Sequence, residues 1–130
     1  RHCDCIFARH WAIGVHVSDS GTIHDIAFED MTIDYPQNTS AKFMGRNLIK
    51  IDNKPDVWGK DDTVGHVRDI LFRHIDVRGE NIPNIHIAGA DADHPIENVE
   101  FEDITINGQP LAANHELLKP GDHVTGLSVK

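Results

Sequence analysis

Cysteine is scarce in this 130-residue chain: the only two, Cys3 and Cys5, are separated by one residue. On one strand they would point the same way but lie too far apart to bridge easily, so no disulfide framework organises the fold. They read as small, buried apolar residues. A C-x-C pair without a second ligand pair is a weak metal signal, even with His2 and His10 nearby. No apolar run approaches the roughly 18 residues that a membrane span needs, so neither a transmembrane helix nor a membrane partner is expected. Positive charge is also short, with 12 Lys and Arg against 21 Asp and Glu, for a net charge of −9. That balance argues against nucleic acid, whose binders present a basic face. It also makes a densely anionic polysaccharide a poor ligand unless positive groups cluster locally. The chain opens on Arg1 without an initiator Met or a signal-peptide pattern, so the numbering is expected to start inside a longer or processed chain.

What the chain has instead is a repeated phrase. "IHDIAFEDMTI" begins at Ile23, "VRDILFRHIDV" at Val67 and "IENVEFEDITI" at Ile96. Slot one holds Ile23, Val67 and Ile96; slot four holds Ile26, Ile70 and Val99; slot six holds Phe28, Phe72 and Phe101. Slots nine and eleven are again aliphatic or Met, from Met31 and Ile33 to Ile104 and Ile106. Slot three holds Asp25, Asp69 and Asn98, residue types that tolerate a left-handed backbone. Slots four and six alternate, as do nine and eleven, so each pair faces one side of a strand. The odd step between six and nine breaks that alternation and demands a bend. A partial fourth copy places Val124, Gly126, Leu127 and Val129 in slots one, three, four and six. A worn copy at the start is read with Asp4, Cys5 and Phe7 in slots three, four and six.

One such unit cannot bury its own apolar face, but stacked units can. Stacking at about 4.8 Å would pile Phe28, Phe72 and Phe101 into one internal file. The phrase starts are 44 and then 29 residues apart, and an intermediate coil on "NLIKID" (47–52) is expected to divide the first gap. The predicted fold is all-β: a right-handed parallel β-helix of about five to six coils, a partial solenoid forming one domain over 1–130. It is read as the C-terminal part of a longer solenoid. An antiparallel sandwich would also show short strands, but it has no reason to repeat slot identities. Stretches 35–42, 52–62 and 107–122 read as loops, with one short helical turn in "LAANHELL" packed over the end of the stack. The N-terminal coil shows no cap, so more chain or a partner is expected before it, and end-to-end self-association through that coil is one possible consequence.

"GHVRDILFRHIDVRG", followed by "IHIAGADADHPIENVEFEDITINGQPL", resembles the C-terminal coils of the polygalacturonase family, glycoside hydrolase family 28. "CIFARHWAIGVHVSDSGTIHDIAFEDMTI" resembles the coils before them. The resemblance implies a secreted protein, extracellular or periplasmic, that hydrolyses pectin-like polysaccharides with inversion by Asp residues. The family's Asn-Thr-Asp and Asp-Asp segments would fall before Arg1. Its Gly-His-Gly segment falls near Ala12 to Gly14, where the chain reads "WAIGVHV" without that His. "LIK" (48–50) stands where Arg-Ile-Lys belongs, with Lys50 matching and Arg46 as a substitute for the Arg. The resemblance thus implies a polysaccharide partner, with the catalytic carboxylates outside this chain. Alternatives are a non-catalytic glycan-binding or protein-interaction solenoid, or a relative of the calcium-dependent polysaccharide lyases. No cofactor is expected unless that last reading brings calcium.

The substrate-contact candidates are Lys50, Arg46 and Trp58, the last because a flat aromatic face in a loop suits a sugar ring. Asp61 and Asp62 are weaker: an inverting pair needs carboxyls roughly 6.5–9.5 Å apart, and these follow Lys50 in a Pro/Gly-rich loop. Asp91 and Asp93 are weak metal candidates, better explained as turn residues bonding backbone amides. Trp11 reads as buried within a largely apolar stretch. His24, His66, His74 and His123 fall in outward or turn slots.

Overall fold

The computed structural model describes residues 2–6, 11–35, 47–55 and 63–130. Those residues form an all-β protein of parallel sheets, with no helix among them. The phrase builds the larger sheet. Its path runs β1 (Cys3–Ile6), β3 (Thr22–Tyr35), β5 (His66–Gly79), β7 (Ile96–Ile106) and β10 (Val124–Thr125), with β11 (Ser128–Val129) also on β7. The second sheet runs β2 (Trp11–His16), β4 (Asn47–Asp52), β6 (Ile85–Ala88) and β9 (Leu118–Pro120). The chain visits the two sheets alternately, so each parallel neighbour is reached by way of the opposite wall. This arrangement is compatible with a parallel β-helix. Among the described residues one antiparallel strand pair occurs, joining β7 to the two-residue β8 (Gln109–Pro110).

The register follows the slots: Ile23↔Val67, Ile26↔Ile70 and Phe28↔Phe72 on one side, then Val67↔Ile96, Ile70↔Val99 and Phe72↔Phe101 on the other. The corner slot is left-handed at every level, with φ of 55° at Asp25, 58° at Asp69, 53° at Asn98 and 67° at Gly126. A second left-handed residue marks the bend: Asp30 (56°), His74 (53°) and Asp103 (53°). Short polar side chains lower the cost of these corners by bonding locally. Bonds along the stack add to this: Asn98 Nδ2 donates to Asp69 Oδ1 of the neighbouring level at 3.0 Å.

The three phenylalanines form the predicted file, with ring centroids 5.2 Å and 5.0 Å apart and planes 9° and 13° from parallel. Across from them, Ile13, Ile49, Ile85 and Leu118 share one row of the second sheet and are buried. Burying each such side chain contributes about 1.5–3 kcal/mol. Tyr35 is buried too, and its hydroxyl finds no hydrogen-bond partner among the described residues. Burial, with Cys5 adding to it, pushes its pKa up to about 12.

Several expectations need correction. "NLIKID" is a strand, but it lies in the second sheet and adds no coil of its own between the first two phrases. Thr22–Tyr35 and His66–Gly79 pair directly, so the 44-residue spacing is a single circuit. At the start, Cys3 lies opposite Met31, Asp4 opposite Thr32 and Cys5 opposite Ile33. These are slots nine to eleven, not three to six, and Phe7 lies outside the described residues. The hydrogen-bond ladder decides register, and three short residues carry too little pattern to fix it. Cys3 is exposed and Cys5 half-buried, with no disulfide between them, so the pair is not a buried one. In 107–122 there is no helix: bonds from His115 N to Ala112 O and from Leu118 N to His115 O close two turns. Leu118–Pro120 then joins the second sheet. The fourth partial copy has the expected register, with Val124 opposite Ile96 and Val129 opposite Phe101.

Candidate functional site

The outer face of the second sheet carries the strongest cluster. Along β2, Ile13 and Val15 point inward, which sends Gly14 and His16 outward; along β4, Ile49 and Ile51 point inward and Lys50 outward. Register then places Gly14, Lys50, His86 and Lys119 in one outer row and His16 beside Asp52 in the next. A chain with a net charge of −9 thus gathers two lysines and a histidine in one row about 4.8 Å apart per level.

Trp11 completes the site and was misjudged from sequence. It is 42 % exposed, not buried. Its position has the inward parity of Ile13 and Val15, but at the strand's start the indole lies over Gly14. A Cβ on Gly14 would stand 2.1 Å from Trp11 Nε1, so the absent side chain makes the shelf on which the ring rests. Lys50 Nζ sits 5.0 Å from the ring centroid, a cation–π contact worth about 0.5–1 kcal/mol at an exposed site. Trp11, Gly14, His16, Lys50, Asp52 and Lys54 line a pocket of about 260 Å³.

The polar floor is Asp52, only 6 % exposed. Its Oδ1 meets His16 Nδ1, and its Oδ2 lies 3.4 Å from Lys50 Nζ. A carboxylate only accepts, so His16 Nδ1 carries the proton of this contact. The arrangement offers an aromatic face, an ammonium and an imidazole on one wall. It can stack a ring and pair with an anion. A wider depression of about 470 Å³ between Asp76, Arg78 and Asn107 is lined by no aromatic residue.

Of the sequence candidates, Lys50 is in this site. Arg46, Trp58, Asp61 and Asp62 lie outside the described residues. Asp91 and Asp93 sit on the turn before β7 and do not line the pocket. Asp91 Oδ1 accepts from the backbone N of Asp93 (2.9 Å) and of His94 (2.9 Å) and meets His94 Nδ1 at 2.8 Å. His94 is the leading cause that holds the Asp91 carboxyl below its usual range. Among the described residues no three His, Cys, Asp or Glu side chains group so as to hold a metal. Sequence reasoning missed His16 and Asp52, although outward parity in "GVHV" was a usable signal for the first. His24, His66, His74 and His123 are exposed, as expected.

The chain matches no protein-family model, no curated protein and no solved structure.

Proposed function

We propose that this chain is part of a right-handed parallel β-helix of a secreted carbohydrate-active protein, and that its second sheet binds polysaccharide across the Trp11–Lys50 pocket. The observation that carries the reading is the exposed indole seated on Gly14 with Lys50 against its ring. A flat aromatic face takes the apolar side of a sugar ring, and the adjoining Lys50, His86 and Lys119 row suits acidic sugars. That row is the local clustering of positive groups that an acidic polysaccharide needs on an otherwise acidic chain. Hydrolysis itself is assigned to carboxylates outside this chain. Asp52, the carboxylate in the pocket, is buried and committed to His16 and Lys50, so it is poorly placed as an acid or base for substrate.

The test is calorimetric titration of the chain with a short uronic-acid oligosaccharide and with its neutral counterpart. The acidic ligand should bind more tightly. Gly14→Ala, which forces the indole off its shelf, and Lys50→Ala should each weaken binding roughly tenfold, or about 1.4 kcal/mol, without changing the circular dichroism. Undiminished binding in both variants would refute the reading.

A further inference from the structure

Cations elsewhere on this acidic chain come with a carboxylate. Each arginine among the described residues has one: Arg68 meets Asp69, Arg73 Nη2 lies 2.7 Å from Glu29 Oε1, and Arg78 meets Asp76. The outer row of the second sheet breaks that habit. His86 stands in register with Lys50 on β4 and with Lys119 on β9, about 4.8 Å per level. Lys50 leans on Trp11 and Asp52, but among the described residues no carboxylate lies within ion-pair distance of His86 or Lys119. The strand that carries His86 offers none, since Ile85 and Ile87 face the core and Ala88 is buried. Acids on the neighbouring elements are placed elsewhere. Asp52 meets His16 and Lys50, and Glu116 lines the depression that holds Asn81 and Gln109. Asp122 lies past β9, where its carbonyl accepts from Gly89 N at 3.0 Å. Lys54, beyond β4, adds a further ammonium on the pocket side.

We infer that His86 makes anion binding on this row pH-dependent. An acidic glycan laid across Lys50, His86 and Lys119 binds with uptake of a proton by His86 and is held more tightly as pH falls. The inference rests on the sugar-binding reading above and adds its regulation. Histidine is the side chain that changes charge between about pH 5 and 8, while lysines stay charged throughout that range. Ligand carboxylates, which resemble Asp with its pKa of about 3.9, stay ionised there as well. A bound carboxylate attracts imidazolium and not neutral imidazole, so ligand and proton strengthen each other reciprocally. His16, the histidine lining the pocket, differs in kind: its charge is already met within the protein by Asp52.

The probe is a uronic-acid trisaccharide, titrated calorimetrically into the full chain at about pH 8 and about pH 5.5. Affinity should rise roughly fivefold at the lower pH. Titration near pH 6.5 in two buffers of different ionisation enthalpy, a measurement that needs no variant, should show net proton uptake. In His86→Gln both the rise and the uptake should vanish. In His86→Lys, which fixes a charge at that place, binding should be tight at both pH values. Equal affinity at the two pH values in the unaltered chain would overturn the inference while leaving the sugar-binding reading intact. So would an equal rise with the neutral trisaccharide, or a rise that persists in His86→Gln and therefore belongs to His16. Binding at neither pH would overturn both.

Discussion

Thr105 and Asp76 show how single side chains finish the outer surface. Thr105 Oγ1 donates to Asp76 Oδ1 at 2.7 Å. That bond, ahead of Arg78 and against the effect of burial, holds the Asp76 carboxyl below its usual range. A carboxyl depressed in the folded state stabilises the protein above its unfolded pKa of about 3.9, and that contribution is lost as pH falls through the lower folded value. Thr105→Val should therefore move the Asp76 midpoint upward in an NMR carboxyl titration and bring acid unfolding on at a higher pH. An unchanged midpoint would assign the shift to Arg78 instead. At this scale sequence reading was least secure. Lys50 was found because it belongs to a motif, whereas Trp11 was misplaced because parity says nothing of a glycine three residues on that leaves room for an indole to fold back.

Strands and their columns behave more predictably. In the phenylalanine file each stacked pair adds about 0.5–1.5 kcal/mol beyond area burial. Phe72 has a ring on both faces, at 5.2 Å and 5.0 Å, while Phe28 is stacked on one described face and partly exposed. Phe72→Ala should cost about 3–5 kcal/mol in urea denaturation and Phe28→Ala clearly less. Equal losses would mean that the file does not decide stability. The slots, corners and bend were all legible because the same requirement recurs at each level, and three copies expose what one would hide. β8 and β9 escaped notice because two- and three-residue strands have no period to read.

Over the whole molecule, the two sheets must be held in step where the chain crosses between them. Asn53, 0 % exposed and just past β4, does this. Its Nδ2 donates to Gly65 O (2.8 Å) and His94 O (3.0 Å), and its Oδ1 accepts from Ala90 N (2.9 Å). Gly65 precedes β5, while Ala90 follows β6 and His94 precedes β7, so one side chain ties the crossing from β4 to β5 to the next one, from β6 to β7. Asn53→Ala would strand three backbone groups, each costing about 1–3 kcal/mol if left unpaired. Thermal unfolding should fall by several degrees or lose its single transition; an unchanged midpoint would show that water replaces the amide at no cost.

Local pattern was enough to establish a parallel all-β architecture, the inward columns and the left-handed corners, because those depend on residue type and spacing repeated along the chain. Which outward residues meet was decided only in three dimensions. Trp11, Gly14, His16, Lys50 and Asp52 come from two strands 36 residues apart in register, and outward positions bear no periodic constraint that would announce their partners in advance.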